Sequence, residues 1–311
     1  MIAHFWQHGG MEIGAFKFND DIPELINPSV IAMIKPWVDV GKVGTVSLNR
    51  IERFLGATDV GQLEKPGRFF DFTRYRPTMK FVQGKRTMRV PNTYIKHARS
   101  EKGQDYLFLH LFEPHSNGEE YVESILEIIK HFNVSRYCRV GAMYDAVPHT
   151  RPLLITGAIG KVPQLTQVEH LKLRQSNYQG PTTIMNLLAV GLEDMELETI
   201  NFMAHLPQYA QLEEDYTGVS RMIEVLSSIY SDIPKDLSPI RRGQRQYREL
   251  TKAVENNSEL KALIEQMESM YDSEREAESV TTDNTNIDSP NLSPEIESFL
   301  NEIGQQLEDD N

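Results

Sequence analysis

Two apolar runs, Tyr137–Met143 and Leu153–Thr156, are separated by a short polar stretch that holds Asp145, His149 and Arg151 between Pro148 and Pro152. Each proline fixes its own φ and drives the residue before it toward extended backbone. The connection therefore reads as a stiff loop following a buried strand. No other feature limits the possible folds as much, because a chain that must place a strand, a rigid polar loop and a second strand within twenty residues needs a sheet to receive them.

The rest of the chain supplies that sheet. Val30–Ile34 and Asp105–Phe112 are continuous apolar runs, as expected of strands buried on both faces. Thr58–Leu63 and Glu198–His205 are further strands, and Met79–Val82 with Thr87–Val90 forms a hairpin around Gln83-Gly-Lys-Arg86. Helical spacing runs over Thr45–Leu55, Asn117–Phe132, Thr166–Arg174, Pro181–Gly191 and Tyr216–Tyr230. Alternating strands and helices predict an α/β fold, a mostly parallel central sheet flanked by helices. The sequence divides into an irregular lead-in (1–27), an α/β core (28–232) and a C-terminal helical segment (233–272), then an acidic linker (273–292) expected to be disordered and a terminal amphipathic helix (293–308).

Charge separates these parts. Of the net charge of −13, residues 272–311 account for −11, leaving −2 for the body. A near-neutral body has no surplus of cations to neutralise phosphates, which argues against nucleic acid as a partner. Basic and aromatic residues do interleave over Phe69–Pro77, but a solvated edge explains them within that balance. The single cysteine, Cys138, lies in an apolar run and excludes an internal disulfide. No apolar stretch approaches the length of a membrane span and no basic-then-apolar leader opens the chain, so the cytoplasm is expected.

In open α/β sheets, sites gather beyond the carboxyl ends of strands. That rule selects three loops: the glycine loop with Gly41 and Gly44, the Glu113-Pro-His115 turn, and the Asp145–His149–Arg151 loop. The glycine loop is GxxG. It matches neither the P-loop nor the dinucleotide-binding pattern, so tight turning and close packing explain it better than an anion site does. His149 as base, Asp145 as its orienter and Arg151 as an anion clamp form the strongest catalytic arrangement available, but nothing supplies a nucleophile. His4 and His8 lack further ligands, and no metal or cofactor is expected. In the last segment Ser293 caps a helix with Pro294 at its first position, and Ile296, Phe299, Leu300, Ile303 and Leu307 form one apolar stripe. On an acidic tether this reads as a docking helix.

Several of these segments together resemble the bacterial, actinobacterial-like branch of the proteasome assembly chaperone family. They are Ile34–Gly44, Glu113–His115, Val147–Pro152, Tyr178–Pro181 and Met270–Asp272, within roughly 25–272. The resemblance implies a phosphorylase/hydrolase-like α/β fold, self-association often as trimers, proteasome-like subunits as protein partners, and no catalytic residues. Some relatives dock through a terminal hydrophobic–tyrosine–any-residue motif. Asp309-Asp-Asn311 departs from it. The expected function is thus a non-catalytic, protein-binding assembly factor. The alternative is a small-ligand binder or a hydrolase- or ligase-like enzyme that uses the rim loops.

Overall fold

The computed structural model describes residues 10–82, 84–159, 179–195, 197–255 and 257–281. The helix expected over 166–174, the histidines His4 and His8, and the terminal helix 293–308 lie outside these residues. The strands are β1 (Glu12–Ile13), β2 (Phe16–Phe18), β3 (Ser29–Lys35), β4 (Thr58–Leu63), β5 (Thr78–Val82), β6 (Lys85–Arg89), β7 (Tyr94–Arg99), β8 (Asp105–Phe112), β9 (Arg136–Asp145), β10 (Ile155–Ile159) and β11 (Glu198–Pro207). The helices are α1 (Val43–Leu55), α2 (Gly118–His131), α3 (Ile184–Glu193), α4 (Tyr216–Ile229), α5 (Ile240–Glu255) and α6 (Ser258–Thr281). α6 thus continues past residue 272, where the sequence places the end of the helical segment.

One sheet runs β1-β2-β4-β7-β8-β3-β9-β11-β10, and β5 with β6 forms a separate ribbon. The expectation of a mostly parallel sheet is corrected here. The pairs β8–β3, β3–β9 and β9–β11 are parallel. The pairs β1–β2, β2–β4, β4–β7, β7–β8 and β10–β11 are antiparallel. Continuous apolar runs report burial on both faces, not direction. β7 and β8 are joined by a tight turn at Ser100–Gln104 with no crossover helix, so they pair antiparallel. The lead-in is also drawn into the sheet: Phe16 and Phe18 of β2 are buried in the core.

Alternation along β3 builds two core layers. Val30, Ala32 and Ile34 join Tyr121, Ile125 and Ile128 of α2 and Met185, Leu188 and Leu192 of α3. Ile31 and Met33 join Leu48 and Ile51 of α1 and Met222, Val225 and Leu226 of α4 on the opposite face. Helices therefore cover both faces. The four parallel strands β8, β3, β9 and β11 end on a common edge, at Phe112, Lys35, Asp145 and Pro207.

Candidate functional site

All seven rim residues singled out in the sequence lie on or just beyond that edge. Their contacts sort them into a packed group and an open one.

Gly41 belongs to the packed group. Its φ of +56° suits glycine, and its carbonyl accepts the Asp215 N–H at 2.8 Å. A Cβ there would lie 2.8 Å from both Leu206 Cδ1 and Asp215 Cβ, so the chain comes too close for any side chain. At Gly44 a Cβ would stand 3.1 Å from Asp39 Oδ1. Asp39 holds the start of α1, accepting the Thr45 N–H at 3.0 Å and the Thr45 hydroxyl at 2.5 Å. Burial pushes the Asp39 pKa up, against the lowering by these Thr45 bonds. The helix N-terminus that a free anion would need is thus already occupied by a carboxylate.

His149 is buried, and both ring nitrogens are engaged. The Tyr209 hydroxyl accepts the His149 backbone N–H at 2.7 Å and lies 2.7 Å from Nδ1, so its own proton is directed to Nδ1. Nε2 then donates to Thr251 Oγ1 at 3.1 Å, and Thr251 in turn donates to the Tyr247 carbonyl at 2.9 Å. The relay requires a neutral imidazole. Burial lowers the His149 pKa accordingly, while Glu268 pulls it the other way. Asp145 does not orient His149. Its Oδ2 lies 2.6 Å from His205 Nδ1, and His205 Nε2 is 2.8 Å from Thr156 Oγ1. Arg151 lies 3.3 Å from Glu268 of α6, which also accepts from the Thr150 hydroxyl. The Tyr271 hydroxyl donates to the Pro152 carbonyl at 2.8 Å. The Pro-His-Thr-Arg-Pro block is therefore the seat on which α5 and α6 rest.

A second anchor for α5 is the buried Asp215. It caps α4 by accepting the Gly218 N–H at 2.8 Å, and it accepts the Tyr247 hydroxyl at 2.9 Å. Burial raises its pKa against those bonds. Asp215 is not among the candidates that the sequence singles out. Its role, like those of His205, Tyr209 and Thr251, depends on partners distant in the chain.

The open group is Glu113 and His115. They line a cavity of about 690 Å³ with Pro36, Trp37, Phe70, Arg74 and Tyr75. Glu113 Oε1 accepts the Ile184 N–H at the start of α3, 2.8 Å away, and its other oxygen is buried with no hydrogen-bond partner. Burial raises the Glu113 pKa against that bond. The His115 Nδ1 accepts the Asp71 N–H at 3.2 Å, and its ring stands edge-on to Tyr75 at 4.4 Å. Trp37 is 62% exposed at the mouth.

Three further groups bear on chemistry. Cys138 is fully buried, and burial pushes its thiol up to about 12. Glu52 of α1, His110 of β8 and Lys96 of β7 form a buried ionic cluster, with Lys96 3.0 Å from Glu52. Burial would raise the Glu52 pKa, and the two basic partners more than offset this, leaving it below the usual range. Among the described residues, no three His, Cys, Asp or Glu side chains gather as a metal site. No helix there is long and apolar enough to cross a membrane.

A model of the PAC2 family matches residues 33–255. The chain belongs to the PAC2 family. No curated protein matches this PAC2-family chain by sequence. Solved structures match its fold. A Corynebacterium glutamicum protein of unknown function is 19% identical, with TM-score 0.73, over 85% of this chain and 98% of its own. A proteasome-assembly chaperone homologue of Mycobacterium tuberculosis is 20% identical, with TM-score 0.66, over 76% and 99%. A PAC2 family protein of Streptomyces avermitilis is 22% identical, with TM-score 0.64, over 76% and 99%. The resemblance drawn from the sequence, to proteasome assembly chaperones of the actinobacterial kind, is borne out.

Proposed function

We propose that this PAC2-family chain is a non-catalytic, cytoplasmic assembly factor that binds other polypeptides as a homo-oligomer, with proteasome-like subunits as its clients. The family match over residues 33–255 carries the reading. The packed group on the rim supports it: His149 has both ring nitrogens in a structural relay, and Arg151 faces α6. A trimer is the state that the resemblance implies. The stripe of Ile296, Phe299, Leu300, Ile303 and Leu307 would serve as a docking helix on the acidic tether. The test is co-expression with proteasome-like subunits encoded in the same genome, with and without residues 273–311, followed by light scattering of the purified complexes. A stoichiometric complex and a larger fraction of assembled rings are expected. Failure to bind any such subunit counts against the reading.

A second reading rests on the cavity at Glu113 and His115. Its aromatic walls and the unpartnered Glu113 oxygen would suit a small planar ligand that donates a hydrogen bond. A thermal-shift panel of nucleosides, nucleotides and carboxylates tests it. A shift that Glu113→Gln removes would favour this reading; silence would favour the assembly factor.

A further inference from the structure

The β5–β6 ribbon is out of place for a solitary chain. It pairs with no strand of the main sheet, and nine of its ten strand residues are exposed, the tenth half-buried. A lone two-stranded ribbon is marginal in water, and three strands or a packed face are normally needed to hold it. This ribbon also exposes large apolar groups: Met79 at 51%, Phe81 at 69%, Val82 at 53% and Met88 at 48%. Met79 pairs with Met88 and Phe81 with Arg86, so the two methionines and the phenylalanine share one face, with the Arg86 guanidinium 5.8 Å from the Phe81 ring. Residues 78–89 hold four cations and no carboxylate; Arg86 shares the apolar face, and Lys80, Lys85 and Arg89 lie on the other. Such a surface calls for a partner that is both apolar and acidic.

Helix α3 offers that combination. Met185, Leu188 and Leu192 sit in the core, while Leu187 (57%) and Val190 (63%) stand exposed on the other side. Glu193 and Asp194 close the helix, where its dipole adds negative potential, and no cation lies between Pro181 and Asp194. We propose that the β5–β6 ribbon of one copy docks its Met79, Phe81 and Met88 face on the exposed Leu187–Val190 face of α3 in a second copy, with Arg86 against Glu193 and Asp194. The contact joins two different surfaces, so each copy both gives and receives. A head-to-tail contact of this kind closes into a ring when its rotation permits. The inference rests on the homo-oligomeric part of the function proposed above and adds the surfaces that make it.

The full-length chain provides the test. Its only native thiol, Cys138, is buried, so introduced cysteines report without interference. Met88→Cys with Val190→Cys in one chain should give a ladder of disulfide-linked oligomers on mild oxidation, absent from either single variant. In light scattering, Arg86→Glu and Glu193→Lys/Asp194→Lys should each shift the species toward the 35.7 kDa monomer. Combining the two changes should restore the oligomer. Circular dichroism confirms that each variant is folded. An oligomer whose mass is untouched by the folded charge-reversal variants, with no ladder, overturns the assigned surfaces and leaves self-association standing. A monomeric wild type overturns the self-association itself.

Discussion

Replacing His149 by alanine separates a structural histidine from a catalytic one. The ring makes two hydrogen bonds, to Tyr209 and Thr251, each contributing about 1 kcal/mol net. It also meets the rings of Tyr209 and Tyr247 edge-on at 5.8 and 5.9 Å, together adding about 1 kcal/mol. The expected loss is about 3 kcal/mol, or roughly 5 °C in Tm for a chain of this size. The pH dependence should change as well. The His149 pKa is lowered in the folded chain, because burial penalises the imidazolium. Below the ordinary pKa of about 6.5, the unfolded chain takes up a proton that the folded chain refuses. The stability from His149 is therefore complete above that pH. It is lost at about 1.4 kcal/mol per pH unit as pH falls from 6.5 to the folded pKa. Urea unfolding of wild type and His149→Ala at several pH values between 5 and 8 measures both effects. The two chains differ only at position 149, so the difference in slope belongs to that substitution. A variant within about 0.5 kcal/mol of wild type, or one that keeps the full wild-type slope, would refute the neutral relay.

Three other substitutions or measurements probe the same joint and the core. Gly41→Ala forces a side chain into the left-handed region and against Asp215 and Leu206, and should cost about 1–3 kcal/mol in urea unfolding. Tyr247→Phe removes a donor from the buried Asp215 carboxyl and should cost about 1–3 kcal/mol at neutral pH. Because burial raises the Asp215 pKa in the folded chain, that cost should shrink as pH falls through the raised value, and protease should cut α5 and α6 before the sheet. Cys138, with its thiol pushed up to about 12, should resist a thiol reagent at pH 7.5 in the native chain and react at once in denaturant.

The central strands are legible because burial on both faces forces uninterrupted apolar residues, and β8 runs over the same residues in the sequence and in the structure. β7 is not legible, and the reason is charge. In Tyr94-Ile-Lys-His-Ala-Arg99 only Ile95 and Ala98 look like core. Lys96 and His97 enter the sheet because Glu52 and Asp105 meet them at 3.0 and 2.8 Å, partners that composition cannot announce. Missing β7 removes the antiparallel link between β4 and β8, and with it two of the five antiparallel pairings of the sheet. The rim follows the same logic. That Pro148 and Pro152 stiffen a loop is local and can be read directly. That His149 answers to Tyr209 and Thr251, Arg151 to Glu268, and the Pro152 carbonyl to Tyr271 depends on chain returning from 60 to 119 residues away. The donors and acceptors that made the block look reactive are the ones that fasten α5 and α6. A polar cluster at the end of a parallel strand thus acquires its meaning from whether its partners come from the chain or from solvent, and here the chain supplies them.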